Sequence, residues 1–503
     1  MATENTKKSV IKGLFWKFME VMSVDGVSFI ISIILARILS PKEYGELALV
    51  NIFITLANVF VVYGLGTALI QKKNADSKDF SSVFYFNGAL SIVLYFTLFF
   101  LAPVIANFYN TPSLVPIIRV LGLRLPLASV ITVQNAYISR NMQFKKTFWA
   151  SLFGTSASGV IGIVMALTGF GVMALVAQVL SASLVNCVVL FFVIKWRPTL
   201  EFSWSRLKGL ISYGWKLLVS GFIKVGYSQL SGLIIGKKHT TEDLSYYEKG
   251  KKYPALVVDA INTSMGSVLF PAFSKSQDER AHLKHMVRKS ISVTTFIMTP
   301  LLLGLAVLAK PVILFLLTEK WVGCVPFLQI ACLYFMLEPI QTANLQAIRA
   351  VGRSDVILWL DIVKRGSGVI MLLVAMNYGV IYIALAPLGV ALLASIVNVV
   401  PNKKLIKYSL REQLLDLIPN LIISALMGIG VLVVSKLLIG AGLANILVIL
   451  ICVLAGAIIY IGLCFITRNK NFRYVIETIK EHFPKKSTSS ENLKQLEIEE
   501  KGE

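Results

Sequence analysis

Polar residues in this chain fall in short clusters, and the apolar stretches between them are too long for the core of a water-soluble domain. A membrane-spanning helix needs about 20 mostly apolar residues, because each backbone N–H and C=O must be satisfied internally across roughly 30 Å of hydrocarbon. The runs predict helices at 13–37, 44–70, 80–106, 113–137, 147–168 and 171–194, then at 208–236, 244–273, 287–309, 324–349, 355–376 and 379–400, and last at 413–436 and 443–467. The total is about fourteen, an even number that puts both termini on one side. Lys17, Glu20 and Asp25 interrupt the first run, which is expected to stay in the membrane rather than be removed as a signal peptide. Beyond the last span, Phe472, Val475, Ile476, Ile479 and Phe483 recur at helical spacing among charges, the pattern of an interfacial helix. The tail from Lys485 is polar and expected to be disordered.

Composition agrees: 56% of residues are hydrophobic and 15% charged, where soluble proteins carry roughly a quarter. The formal net charge of +22 is read as an orientation signal before a nucleic-acid signal. Lys72, Lys73 and Lys78, then Arg140, Lys145 and Lys146, then Lys195, Arg197, Arg206 and Lys208, and later Lys275, Arg280 and Lys284 crowd alternate loops. The intervening loops at 106–113, 168–171 and 377–379 have no Lys or Arg. Since cytoplasmic loops collect these residues, both termini are expected in the cytoplasm. Five scattered cysteines, none in a CxxC, fit packing rather than a disulfide framework or metal site.

Offset by about 200 residues, the first six helices resemble the next six. Lys12-Gly13-Leu14 matches Lys208-Gly209-Leu210, Ile34-Leu35-Ala36-Arg37 matches Ile234-Ile235-Gly236-Lys237, and Phe170-Gly171-Val172 matches Tyr378-Gly379-Val380. The expected organisation is a six-helix lobe at 1–194, a cytoplasmic linker at 195–207, a second lobe at 208–411, two added helices at 412–467 and a cytoplasmic amphipathic helix with a disordered tail at 468–503. Parallel repeats of this kind place a substrate site between lobes that rock around it.

Charges inside the spans sharpen the picture, because each costs about 2.5 to 3.5 kcal/mol near the bilayer centre and so faces water or a partner. At 100° per residue, Tyr213, Lys216, Ser220, Lys224, Tyr227 and Ser231 fall within an arc of about 80° on one helix. Lys17, Asp25, Ser28 and Ser32 make a similar stripe on the first helix. Further candidates are Arg119, Arg124, Asp259, Asn262, Glu338, Asp361, Lys364 and Arg365. Snorkelling to an interface is the plain alternative for Arg119, Lys216, Lys364 and Arg365, and a buried pair between Asp25 and Lys224 is the alternative to a cavity role for both. Gly232 to Lys238 is one residue short of a P-loop and lacks its Ser or Thr, so no ATP-hydrolysing site is visible.

The stretch Tyr247-Glu248-Lys249-Gly250 through Tyr253-Pro254, then Asn262, Leu269-Phe270-Pro271-Ala272-Phe273-Ser274 and Gln277-Asp278, resembles a signature of the Wzx-type polysaccharide flippases, in their WzxC and TuaB-like branch. Ala36-Arg37-Ile38-Leu39-Ser40-Pro41 with Tyr44-Gly45, and Arg140 with Met142-Gln143-Phe144-Lys145, are similar to the same branch. The resemblance covers approximately residues 10–465. Lys249, Lys251 and Lys252 make its central stretch more basic than the branch pattern. The resemblance implies the fold of the multidrug/oligosaccharidyl-lipid/polysaccharide exporter (MOP) superfamily: all-α, two six-helix lobes in a V plus two helices. It also implies a non-enzymatic carrier of the bacterial cytoplasmic membrane that flips an undecaprenyl-pyrophosphate-linked oligosaccharide to the outer leaflet. Its partners would be that lipid-linked substrate, membrane lipids and other polysaccharide-assembly proteins, with no nucleic acid.

For such a substrate, Lys216 and Lys224 first, then Arg124 and Arg140, are expected to pair with the pyrophosphate, and Tyr213, Tyr227, Gln134, Asn135, Asn262 and Gln341 to hydrogen-bond sugars. Asp25, Asp259 and Glu338 are the candidates for H⁺ or Na⁺ coupling; no other cofactor is expected. A lipid II flippase and a cation-coupled multidrug exporter of the same superfamily are the alternatives.

Overall fold

Long runs of Leu, Ile, Val, Phe and Ala close their own backbone hydrogen bonds as helices, and the computed structural model describes residues 2–482 as helices joined by short turns. In order they are α1 (Ala2–Ile38), α2 (Pro41–Val62), α3 (Leu65–Gln71), α4 (Ser77–Phe108), α5 (Leu114–Leu121), α6 (Arg124–Arg140), α7 (Phe144–Leu167), α8 (Val172–Val193), α9 (Trp204–Lys238) and α10 (Thr241–Lys275). Then come α11 (Arg280–Val307), α12 (Ala309–Leu317), a 3₁₀ turn (Glu319–Cys324), α13 (Val325–Phe335), α14 (Glu338–Ala350), α15 (Ser354–Ala375), α16 (Val380–Val397), α17 (Val399–Leu405), α18 (Leu410–Gly440), α19 (Asn445–Ile466) and α20 (Lys470–His482). Phe483 of the expected amphipathic helix, and the tail after it, lie outside the described residues.

The chain is an all-helical, multi-pass membrane protein. Among the described residues, 12 candidate spans are long and apolar enough to cross a membrane. The other two expected spans, α10 and α15, form as helices of 35 and 22 residues. Asp361, Lys364 and Arg365 put three charges inside α15, while the 256–273 stretch of α10 carries the single charge of Asp259. Several expected helices are also broken. The 44–70 run parts at Gly64, whose φ of 99° is left-handed; the 113–137 run parts after α5, and the 324–349 run between α13 and α14.

Several helix starts are specified by local side chains. Ser40 and Glu43 exchange hydrogen bonds in a reciprocal cap at α2, as do Asp76 and Asp79 at α4 and Ser409 and Glu412 at α18. Thr240 and Asp243 do the same at α10, at 3.0 and 3.2 Å. The starts of α8 and α16 follow Gly171 and Gly379, both with positive φ.

The chain packs as two units. The first comprises the residues up to Lys251 with Leu316–Phe327 and Val369–Ala386. In it α7 packs between α1 and α8, and α9 lies along α2 and α3. The second comprises Lys252–Phe315, Leu328–Gly368 and the chain from Pro387 onward. In it α18 packs between α11 and α19. Lys284–Glu412 at 2.7 Å and Arg288–Asp416 at 2.7 Å tie α11 to α18. Phe472 and Val475 of α20 pack against the core that includes Phe296, Met427 and Tyr460.

Candidate functional site

Helix α9 meets its neighbours along a seam of glycines. Gly214 lies against the backbone of Gly64, Gly221 against the Tyr63 ring, Gly232 against Ile52 and Gly236 against Leu49. Small residues permit this close approach of helices in a bilayer, where hydrophobicity alone gives little drive to associate. The polar stripe lies to one side of that seam: Tyr213, Lys216, Ser220 and Lys224 are exposed, Tyr227 is half-buried and Ser231 buried. Lys216 and Lys224 make no ion pair or hydrogen bond among the described residues. Slightly more than two helical turns separate them, about 12 Å along the axis.

Asp25 is exposed on α1, and no ion pair joins it to Lys224 among the described residues. The neighbouring Glu20 is the engaged acid. It accepts from Thr147 at 2.9 Å and Ser151 at 3.2 Å on α7, and pairs with Lys17 at 3.1 Å.

Helix α6 carries four expected site residues in different settings. Arg124 is half-buried at its first turn and Asn135 exposed, while Gln134 is 3% exposed with its Oε1 unpartnered. Arg140 ends the helix and donates to the carbonyls of Leu69, Lys72 and Lys73, capping the end of α3. A cation there complements the negative end of that helix. Arg124 and Arg140 stand about 24 Å apart along α6, too far for one diphosphate to touch both.

In the second unit, Asp259 of α10 and Glu338 of α14 lie within Coulombic reach of each other. Asn262 and Gln341 follow them at i+3, on the same faces. Both amides are half-buried, and Asn262 Oδ1 is buried without a hydrogen-bond partner. Two carboxyls near each other attract a proton or a cation and repel a phosphate. Lys364 and Arg365 lie 3.8 and 3.7 Å from Asp361 on their own helix. Arg119 stacks 4.4 Å over the Phe99 ring.

Two features escaped the sequence reading. At 100° per residue, Glu248, Lys251, Lys252, Asp259 and Asn262 share an arc of about 100°, a charged row along α10 whose period was there to be counted. The other is Lys249, 6% exposed. Its ammonium donates to Ser32 at 2.9 Å, lies 4.1 Å over the Tyr44 ring and 5.5 Å from the Trp321 ring. Around it, Trp321 Nε1 donates to the Ala36 carbonyl at 2.8 Å and Lys320 donates to that of Arg37 at 2.7 Å, closing the C-terminal end of α1.

A family model described as a polysaccharide biosynthesis protein matches residues 34–326. The chain is 26% identical over 358 residues to the succinoglycan biosynthesis transport protein ExoT of Rhizobium meliloti, covering 71% of this chain and 72% of that one. It is 24% identical over 439 residues to the teichuronic acid biosynthesis protein TuaB of Bacillus subtilis, at 84% and 88% coverage. It is also 24% identical over 360 residues to the lipopolysaccharide biosynthesis protein WzxC of Escherichia coli, at 71% and 73%. Among solved structures, the lipid II flippase MurJ in an inward closed conformation superposes with a TM-score of 0.73 at 15% identity, over 92% of this chain and all of that one. An inward-facing multidrug resistance MATE family transporter of the MOP superfamily superposes with a TM-score of 0.59 at 15% identity, over 79% and 99%. These two likenesses concern the fold. With an all-helical membrane fold of that superfamily and a family match over more than half its length, the chain belongs to the polysaccharide biosynthesis protein family and is a Wzx-type transport protein rather than an enzyme.

Proposed function

We propose that this transporter flips a polyprenyl-pyrophosphate-linked oligosaccharide from the cytoplasmic to the outer leaflet of a bacterial cytoplasmic membrane, for a surface polysaccharide, by alternating access of two repeat lobes. The physical task is to carry a diphosphate and its sugar hydroxyls through hydrocarbon while the polyprenyl tail stays in it. Desolvating the headgroup is tolerable only if cations and hydrogen-bonding side chains replace its water. The observation that carries the reading is the pair Lys216 and Lys224, exposed and unpaired on the polar stripe of a membrane helix. Tyr213, Tyr227, Gln134, Asn135, Asn262 and Gln341 would serve the sugars. Arg124 would meet the diphosphate at a different stage of transit from Arg140, given their separation along α6.

Direction follows from the membrane potential: with the cytoplasm negative, each negative charge leaving it gains about 2.3 kcal/mol per 100 mV. Coupling to H⁺ or Na⁺ through Asp25, Asp259 and Glu338 is then an addition rather than a requirement. The test is translocation of a lipid-linked oligosaccharide by the purified protein in proteoliposomes. Lys224→Ala should abolish flipping while thermal unfolding stays near wild type, and Lys224→Arg should restore part of it. A wild-type rate in Lys224→Ala removes this residue from the path.

A further inference from the structure

At the end of the second unit near the basic 275–280 turn, α11, α18, the end of α19 and the start of α20 enclose a cavity of about 820 Å³. Arg288, Lys289, Arg468 and Lys470 line it, with His285 beside them and Asp416 as the lining carboxylate. Asp416 is already engaged: it takes both arms of Arg288 at 2.7 and 2.8 Å and the Tyr408 hydroxyl at 2.8 Å. Glu477 lies within Coulombic reach of Lys289, whose ammonium sits 3.6 Å over the Tyr474 ring. Arg468 and Lys470 are exposed and make no ion pair among the described residues. The pocket is therefore cationic after its internal pairs are counted.

The wall is built rather than incidental. Asn420 is fully buried and donates to the Ser292 carbonyl at 2.9 Å. Its Oδ1 accepts from Asn469 at 3.4 Å and Asn471 at 3.3 Å. Asn469 Oδ1 in turn caps α20, accepting from the amides of Asn471 at 2.8 Å and Phe472 at 3.3 Å. This chain of amides fixes the start of α20 against α18 and α11 and holds Lys470 at the rim.

One helical turn deeper, the same three spans open an apolar groove of about 580 Å³, lined by residues including Phe296, Pro300, Gly304, Met427 and Gly456. Ser292 of the cationic cavity is followed by Phe296 of the groove on α11, and Ile423 by Met427 on α18, each step about 6 Å along the helix. A cationic cavity at the ends of these helices, one turn from a greasy groove, matches an amphiphile with an anionic head. A free anion has no use for the groove, and a zwitterion gains little from uncompensated cations. Basic pockets between spans on the cytoplasmic side take anionic headgroups for this reason.

We infer that this site binds an anionic diacyl phospholipid of the phosphatidylglycerol class, its phosphate among Lys289, Arg468 and Lys470 and its acyl chains along the groove. The site is independent of the flipping path proposed above, since none of its residues belongs to that path.

The test uses the purified full chain in neutral detergent and follows thermal unfolding as dioleoylphosphatidylglycerol, dioleoylphosphatidylcholine, a polyprenyl phosphate or inorganic phosphate is added. A ligand that binds only the folded state raises Tm. A rise of a few degrees is expected with phosphatidylglycerol, lost in K289Q/R468Q/K470Q and kept in K289R/R468K/K470R. An equal rise with phosphatidylcholine, reproduction by inorganic phosphate, a stronger response to the polyprenyl phosphate, or an undiminished response in the glutamine variant would each overturn the assignment. Should the triple variant fail to fold, R468Q and K470Q alone remain diagnostic. Each alters an exposed side chain without an ion pair and should raise the phosphatidylglycerol concentration at half-effect several-fold; unchanged midpoints would count against the site.

Discussion

Gly45 stands where α2 begins, and a Cβ built on it would meet the Thr241 carbonyl oxygen at 1.8 Å and the carbonyl carbon at 2.4 Å. Both atoms are main chain, anchored at the start of α10, so the obstruction cannot rotate away. Gly45→Ala should therefore destabilise by at least the roughly 1–3 kcal/mol of core overpacking, seen as a lower Tm and loss of monodispersity in detergent. Gly26→Ala is the control: nothing lies within 4 Å of its Cβ, and the change should be neutral or stabilising by about 0.5–1 kcal/mol. Equal Tm values for the two variants would refute the clash. Gly45 was visible in the chain as part of a family-like motif, but its reason was not, because Thr241 lies nearly 200 residues away. The same distance hid Lys249, whose cage takes Tyr44 from one end of the first unit's sequence and Trp321 from another. Lys216 and Lys224 could be read directly, since a helical stripe is a local pattern and needs only 100° per residue.

Elements were legible wherever a single physical rule governs them. Apolar length predicts a span, so the expected helices form; their interruptions follow from backbone details that length does not carry. Gly64 adopts a φ of 99° where its backbone meets Gly214, and neither fact is written in the hydrophobicity of 44–70. Helix caps are local, and one of them makes a pH-dependent prediction. Asp76 begins α4, its Oδ1 accepting from the Asp79 amide at 3.0 Å, while Arg206 at the start of α9 pairs with its other oxygen. The hydrogen bond from Arg206 first, and that from Asp79 second, lower the Asp76 carboxyl from 3.8 to about 2. A carboxyl whose folded pKa is depressed stabilises above its unfolded value and loses that contribution as pH falls through the folded one. The Tm difference between wild type and Asp76→Asn should thus be steady above pH 4 and shrink between pH 4 and about 2. The group is largely exposed, so the effect is small and weakens with salt. A Tm difference that stays constant across that window, at low ionic strength, would mean that Arg206 does not act through the ionised carboxylate.

At the scale of the whole molecule orientation matters to function, because it sets which face of the protein meets the leaflet from which the proposed substrate would be taken. Alternating loop charge argues for cytoplasmic termini: Lys195, Arg197, Arg206 and Lys208 flank one linker, while the turns at 168–171 and 377–379 have no Lys or Arg. Those two turns join α7 to α8 and α15 to α16 through Gly171 and Gly379, both at positive φ. Cysteine accessibility checks the orientation with little background, since four of the five native thiols are buried and Cys187 is half-buried. In a Cys187→Ala chain, Thr168→Cys and Asn377→Cys should react with a membrane-impermeant maleimide added to intact cells. Leu200→Cys, at a site 96% exposed, and Gln277→Cys should react only after permeabilisation. The reverse pattern would put the basic loops outside. The anionic lipid site at the basic end of the second unit would then face the outer leaflet.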